Sequence, residues 1–185
     1  DLVQNTGCAH LILPIKEVAE AFDNSLASTF EGLKADTTEE NIQARIRGIL
    51  LMAMSNKFGH IVLNTSNKSE AAVGYGTLYG DMAGSISVIG DVYKTQAYAL
   101  AKYINRNGEI IPENTLVKPP SAELRPDQKD SDSLPPYDLL DSILFQFIEL
   151  GKSASEVINL GFEAAVVERI HKLLNNAEFK RFQAP

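Results

Sequence analysis

Short apolar segments alternate with helical segments along the first hundred residues, and this alternation constrains the fold more than any other feature. Residues 10–15 and 60–63 are mainly apolar and predict buried strands. Three neighbouring segments, 16–30, about 38–59 and 91–105, carry apolar residues at helical spacing. Strands alternating with helices predict an α/β fold with a parallel sheet.

The second helical segment is apolar on more sides than one sheet contact requires. It is expected to begin after an N-cap at Thr37 or Thr38. One apolar face, which a sheet can cover, consists of Ile42, Ile46, Ile49 and Leu50. Leu51, Met52 and Met54 extend the apolar surface to other faces. A helix of this kind is buried on several sides, so we expect the parent protein to be at least a dimer, with residues 41–54 at or beside the interface.

Charge and composition exclude several classes of function. The formal net charge is −7 and no dense basic stretch offsets it, which argues against binding nucleic acid or an anionic membrane. No window approaches eighteen consecutive apolar residues, so no membrane span is expected. The single cysteine, Cys8, cannot form an internal disulfide, which favours a reducing, cytoplasmic location.

Residues 63–81 hold the most informative polar side chains. They follow a predicted buried strand and enter a helix, and ligands of open α/β sheets bind at the carboxyl ends of strands. Thr65 and Glu70 would then lie at the mouth of a site, where Glu70 could hold Mg²⁺. The alternative is that Thr65 and Ser69 are helix caps and Glu70 an ordinary first-turn carboxylate.

Two basic residues are further candidates. Arg45 lies one position from the apolar face of its helix and can grip a phosphate or carboxylate, or it can be a solvated surface residue. Lys94 is expected in the first turn of a helix, where the dipole disfavours a cation, which raises the case for a ligand role. Residues 118–136 predict a long loop, flexible at about 122–134, and residues 137–181 are helical in pattern.

Four blocks of this sequence resemble signature segments of the NAD synthetases, in family order. They are NIQARIRG (41–48), TSNKSEAAVGYGTLYGDMAG (65–84), KPPSAELRPDQKDSDSLPPYDLLD (118–141) and KRFQAP (180–185). The second and third blocks are closer to the glutamine-dependent branch than to the ammonia-dependent one. The resemblance implies an adenine-nucleotide α-hydrolase-like, Rossmann-like fold with a parallel sheet and surrounding helices.

The resemblance also implies a ligase reaction. ATP adenylates the nicotinate carboxylate of deamido-NAD with release of pyrophosphate, and ammonia then displaces AMP to give NAD. A separate glutaminase domain would supply the ammonia. On the ATP side the resemblance assigns Thr65 and Lys94 to ATP contacts and Ser121 to the phosphates, with Glu70 binding Mg²⁺. It assigns no catalytic side chain.

On the deamido-NAD side the resemblance suggests five residues. They are Asn41, Arg45, Glu70, Asp81 and Lys180. Asp81 would help to order the site. Lys180, with its neighbour Arg181, would close over the nucleotide from the C-terminal end.

The chain departs from the family pattern in three ways. No Ser-Gly-Gly-x-Asp-Ser phosphate loop occurs in it, no glutaminase domain is present, and Phe179 stands where the family has His or Tyr. We therefore expect residues 1–185 to be an incomplete synthetase domain, missing an N-terminal strand and phosphate loop, and inactive in isolation. The alternative is a non-catalytic α/β interaction or scaffold fragment that keeps the fold without the phosphate loop.

Overall fold

The computed structural model describes residues 1–185, which form ten α-helices and two short strands. The elements of the first half are α1 (Leu2–Thr6), α2 (Lys16–Leu26), α3 (Thr37–Phe58), β1 (Leu63–Asn64), α4 (Lys68–Val73), β2 (Ile86–Ser87) and α5 (Lys94–Ile104). Those of the second half are α6 (Glu113–Val117), α7 (Tyr137–Ile148), α8 (Ala154–Asn159), α9 (Ala164–Asn176) and α10 (Glu178–Gln183). Single 3₁₀ turns cover Asn105–Asn107 and Asp130–Asp132.

The two strands pair in parallel, which confirms the predicted α/β class with a parallel sheet. In the register of this pair Leu63 lies opposite Ile86 and Asn64 opposite Ser87. The side chain of Asn64 is buried, and its amide nitrogen donates to the carbonyl oxygen of Asp81 at 3.1 Å. Asn64 therefore ties the carboxyl end of β1 to the segment between α4 and β2.

The strand predicted at residues 10–15 is wrong. This segment has no regular structure, and its Leu11 and Ile12 side chains are 64% and 79% exposed. A strand needs neighbouring strands to satisfy its N–H and C=O groups, and neither β1 nor β2 pairs with this segment. Pro14 also removes one donor. The strand predicted at residues 60–63 is shifted toward the turn and shortened to Leu63–Asn64.

Helix α3 differs from its prediction at its start and on its apolar face. Asp36, not either threonine, is the N-cap, and its carboxylate accepts from the Thr38 N–H at 2.7 Å. The residues that α3 buries are Ala44, Ile46 and Gly48, while Ile49 stays 59% exposed. The reason is that α3 packs through small residues against residues 74–84, here called the glycine segment.

The hydrophobic core lies among α4, α7, α8 and α9. Its fully buried members are Leu140, Ile143, Leu144, Val157, Val167 and Ile170. Tyr93, just before α5, and the last two residues of α4, Ala72 and Val73, pack into the same cluster, so the start of α5 and the end of α4 are fixed to a rigid base. No helix combines the length and apolar character that crossing a bilayer requires.

Candidate functional site

A cavity of about 310 Å³ opens beside the carboxyl end of β1, and we call it the first cavity. Its walls come from α3, the residues after β1, the glycine segment, the start of α5 and the 118–136 segment. Five residues singled out from the sequence line it together: Thr65, Glu70, Asp81, Lys94 and Ser121. These five residues are spread along the chain from position 65 to position 121, yet they line one cavity. The cavity lies at the carboxyl end of a strand, where open α/β sheets bind their ligands.

The backbone after β1 is held by a series of side-chain caps. The carboxamide oxygen of Asn64 accepts from the Ser66 N–H at 2.9 Å, which turns the chain toward α4. Asn67 is the N-cap of α4, and its side-chain oxygen accepts from the Glu70 N–H at 3.0 Å. One carboxylate oxygen of Glu70 returns the bond by accepting from the Asn67 N–H at 3.2 Å. This reciprocal capping box fixes Glu70 at the edge of the first cavity.

Glu70 and Lys94 form the central ion pair of the first cavity. The Lys94 ammonium lies 2.8 Å from Glu70 Oε1, and the two side chains are only 18% and 20% exposed. The ammonium also lies 5.3 Å from the ring centroid of Tyr137. Glu70 is therefore a first-turn carboxylate, as the alternative interpretation held, and it also lines the cavity as a charged residue. Partial burial makes the pair stronger than a surface salt bridge.

A carboxylate and two tyrosines lie beside this pair. The Tyr137 hydroxyl donates to Asp130 Oδ2 at 2.7 Å. The other oxygen of Asp130, Oδ1, is buried without a hydrogen-bond partner, and Asp130 lines the first cavity. Burial, together with the negative charge of Asp130, raises the pKa of both Tyr75 and Tyr137. Both phenols are therefore neutral hydrogen-bond donors at physiological pH.

The 118–136 segment lies against α3 and is attached to it by arginine contacts. The Arg47 guanidinium donates to the carbonyl oxygens of Ala122 at 3.3 Å and Glu123 at 2.8 Å. Arg125, from the segment itself, lies 3.1 Å from the Glu40 carboxylate. Through these contacts the segment is held where its Ser121, Ala122 and Leu124 line the first cavity.

A second cavity of about 650 Å³ adjoins the first, and Asp81 lines both. Asn41 and Lys180, two of the residues predicted for deamido-NAD, line it as well. Asp81 Oδ1 accepts from the Thr77 N–H, and the Thr77 hydroxyl donates to Asn41 Oδ1, both at 2.7 Å. This chain of bonds fixes the orientation of both side chains on the second cavity.

The ammonium of Lys180 contacts backbone rather than open space. It donates to the carbonyl oxygens of Gly74 at 2.8 Å and Gly76 at 2.6 Å. Burial lowers the pKa of Lys180, and the nearby positive charge of Arg45 acts in the same direction. One of its three N–H groups remains for a ligand after these two bonds.

Arg45 alone among the predicted site residues lines neither cavity. Its side chain is exposed, and Arg45 Nε donates to the Leu78 carbonyl oxygen at 3.2 Å. The structure brings together no group of three or more His, Cys, Asp or Glu side chains that could hold a metal. Glu70, the predicted Mg²⁺ ligand, shares the lining of the first cavity with two other carboxylate residues, Asp81 and Asp130.

Sequence reasoning did not select Arg47, Tyr75 or Asp130, although all three line the first cavity. A signal for Arg47 does exist in the sequence. Ala44 and Gly48 are small residues four positions apart on α3 and mark the side where another segment approaches closely, and Arg47 adjoins that side. No local pattern indicates Asp130, because its environment depends on how the 118–136 segment packs.

The fold and the two polar cavities define an α/β domain with a candidate ligand site at the carboxyl end of a parallel strand. The family model described as NAD synthase matches residues 1–184. The chain belongs to the NAD synthase family, which confirms the resemblance drawn from its four motif blocks.

Several individual relatives of this chain are NAD synthetases as well. A glutamine-dependent NAD(+) synthetase of Acinetobacter baylyi is 54% identical over 93% of this chain and 32% of its own length. The structure of glutamine-dependent NAD+ synthetase from Acinetobacter baumannii in complex with adenosine diphosphate matches with a TM-score of 0.62 and 42% identity, covering 100% of this chain and 33% of that one. NMN synthetase from Francisella tularensis matches with a TM-score of 0.76 and 31% identity, covering 97% and 66%. The chain spans about a third of the length of the curated relatives it matches.

Proposed function

We propose that this chain forms the nucleotide-binding part of a glutamine-dependent NAD synthetase. In this reaction the nicotinate carboxylate of deamido-NAD attacks the α-phosphorus of ATP, and pyrophosphate leaves. Ammonia, released from glutamine by a separate glutaminase domain, then attacks the acyl carbon, and AMP leaves as NAD forms. The observation that carries the proposal is that Thr65, Glu70, Asp81, Lys94 and Ser121 line one cavity at the end of a parallel strand.

The charges of the first cavity suit the ATP half of this chemistry. An adenylation transition state accumulates negative charge on the phosphates, and a fixed cation stabilises it without reorganisation. Lys94 supplies such a cation, because its bond to Glu70 and its position over Tyr137 hold its ammonium in place. Thr65 and Ser121 also line this cavity and carry hydroxyl groups, and we assign both to ATP.

The first cavity also fits a magnesium ion that accompanies ATP. Mg²⁺ is usually held by one or two carboxylates, with phosphate oxygens and water completing its coordination. Glu70 is one such carboxylate, and Asp130, whose Oδ1 is buried without a hydrogen-bond partner, is a second carboxylate residue lining the same cavity. When bound, the ion would neutralise charge that develops on the phosphates.

The second cavity is the proposed site of deamido-NAD. Asn41 and Asp81 present oriented polar groups there, and Lys180 keeps one N–H for the ligand. Asp81 borders both cavities, so a dinucleotide in one and ATP in the other would meet near it. Arg45 lies outside the second cavity, and we propose that it contacts an outer part of the same ligand. The exposed, unpaired Cys8 suits the reducing cytoplasm.

The proposed function is tested by assaying the full-length protein with defined substrates. Pyrophosphate release that requires both ATP and deamido-NAD is expected, followed by NAD formation with glutamine or ammonium as nitrogen donor. A protein that binds neither ATP nor deamido-NAD would instead support the scaffold alternative.

We expect the 122–134 part of the loop to be mobile without ligands and ordered over bound nucleotide. Such a lid would keep water from the reactive adenylate. Trypsin has one usable target within these residues, the Lys129–Asp130 bond, since Pro126 blocks cleavage after Arg125. ATP with deamido-NAD should slow this cleavage about tenfold, as expected for loss of a locally opened state. Cleavage after the exposed Lys34 is the internal control, and equal slowing at both bonds would refute the lid.

We further propose that the full-length protein is at least a dimer through α3. Ile49 and Met52, 59% and 39% exposed, lie three positions apart on one side of this helix. Because Leu51 lines the first cavity, Ile49→Glu with Met52→Glu is the cleaner test of an interface. Light scattering should show a lower mass for this variant, halved if the wild type is a dimer, whereas Leu160→Glu, at a comparably exposed position at the end of α8, should keep the wild-type mass. A monomeric wild-type protein would contradict the proposal.

A further inference from the structure

Asp141, which lines neither of the two cavities, has a buried carboxylate that accepts three side-chain or backbone hydrogen bonds. It lies on α7, is 5% exposed, and uses both of its oxygens. Oδ1 accepts from the Ser69 hydroxyl at 2.5 Å, and Oδ2 accepts from both the N–H and the hydroxyl of Thr95, at 2.9 and 2.8 Å. One carboxylate thereby joins three helices, because Ser69 belongs to α4 and Thr95 to α5.

These bonds end next to the two charged side chains of the first cavity. Ser69 is the chain neighbour of Glu70, and Thr95 is the chain neighbour of Lys94. The Ser69 hydroxyl also accepts from the Lys94 N–H at 2.8 Å, so α4 and the first turn of α5 are bonded directly. Asp141 therefore fixes the backbone on both sides of the Glu70–Lys94 pair.

Only a carboxylate satisfies this arrangement. The first N–H groups of α5 have no partner within the helix, and a negative charge near them is favourable with the helix dipole. Asparagine in place of Asp141 would offer one accepting oxygen and two donor hydrogens. With its oxygen toward Thr95 it would keep both Thr95 bonds, but the Ser69 hydroxyl would face an N–H donor in place of its acceptor. With its oxygen toward Ser69 it would leave the Thr95 N–H without an acceptor.

We propose that Asp141 is a positioning residue that sets the distance between Glu70 and Lys94. It does not line the first cavity and so acts through the two helix starts rather than on a ligand. The effect on nucleotide binding rests on the proposed function, whereas the effect on the ion pair does not. Misplacing binding or catalytic groups by about 1 Å can cost as much as 10²-fold in rate.

The first test examines the ion pair without any ligand. Crystal structures of the full-length protein with Asp141→Asn and with Ser69→Ala are compared with Asp138→Asn as matched control. Asp138 is an exposed aspartate on the same helix, and its carboxylate makes no hydrogen bond or ion pair with α4 or α5, so its variant loses the same charge without removing a bond to either helix. We expect the Lys94–Glu70 bond of 2.8 Å to be broken in the first two variants and kept in the control. Hydrogen exchange at the Lys94 and Thr95 amides should accelerate in the same two variants.

The second test asks whether Asp141 acts through Lys94. Binding of ADP with Mg²⁺ is measured by calorimetry for Asp141→Asn alone, Lys94→Met alone and the double variant. Asp141→Asn should weaken binding about tenfold in the wild-type background and add no further loss beside Lys94→Met, because coupled residues are not additive. A merely structural role would give the same additional loss in both backgrounds.

The outcomes separate this inference from the proposed function. A wild-type protein that binds no ADP would contradict the proposed function, while the crystal structures would still decide the role of Asp141. An unchanged Lys94–Glu70 pair in Asp141→Asn and Ser69→Ala would overturn the positioning role. Equal additional losses of ADP affinity in the two backgrounds would overturn it as well. Ser69→Ala keeps the test decisive if Asp141→Asn does not fold.

Discussion

Replacing Glu70 by glutamine in the full-length protein is expected to slow pyrophosphate release about 10²-fold while leaving the fold nearly unchanged. Removing one preorganised charged contact from a transition state typically costs 10²–10³-fold. Here the substitution removes the negative charge that holds the Lys94 ammonium at 2.8 Å and that is proposed to hold Mg²⁺. The rate of pyrophosphate release with saturating ATP and deamido-NAD is the measurement.

The fold should survive this change because the structural part of Glu70 is retained. Glutamine at the third helical position can still accept from the Asn67 N–H, as in the usual capping box. Glu168→Gln on α9 is the matched control, since Glu168 is exposed and makes no ion pair. A melting temperature that falls together with the rate would show that Glu70 serves the fold, and an unchanged rate would remove it from the site.

Short-range sequence features predicted the part of the site that depends on chain order. Thr65 and Glu70 follow a strand and open a helix, so the strand-end rule places them correctly at the mouth of a cavity. Lys94 was selected for a ligand role because the helix dipole disfavours a cation in a first turn, and in the structure its ammonium pairs with Glu70. Ser121 was selected through the resemblance to the family, because residue spacing alone did not indicate it.

Features that depend on long-range packing were not predictable in this way. Asp130 is a surface-type residue in a polar loop, and it becomes buried only because the 118–136 segment folds against the rest of the chain. Residues 10–15 show the reverse case, since their apolar pattern is typical of a strand but no neighbouring strand pairs with them. The residue pattern of a segment therefore indicates which structure it favours. Whether that structure forms, and whether its side chains are buried, depends on the segments that pack against it.

Close backbone approach between α3 and the glycine segment is the packing feature on which the first cavity most depends. A Cβ at Gly80 would lie 2.9 Å from the carbonyl carbon of Ala44 and 3.0 Å from its Cβ. A Cβ at Gly48 would lie 2.9 Å from the Tyr79 carbonyl oxygen. Gly48, Gly80 and Ala44 all line the first cavity, so any displacement of α3 from the glycine segment changes its shape.

Gly80→Ala is therefore expected to destabilise the protein by about 1–3 kcal/mol, the usual cost of overpacking, and to weaken ADP binding about tenfold. Gly59→Ala is the contrasting variant, because Gly59 ends α3 at φ +68° with no neighbouring atom within 4 Å. Its alanine suffers backbone strain of about 1–2 kcal/mol but leaves the cavity untouched. Melting temperature and calorimetric ADP affinity together separate the two mechanisms. If Gly80→Ala lowered the melting temperature as Gly59→Ala does but kept its ADP affinity within twofold, the close approach would stabilise the fold without shaping the nucleotide site.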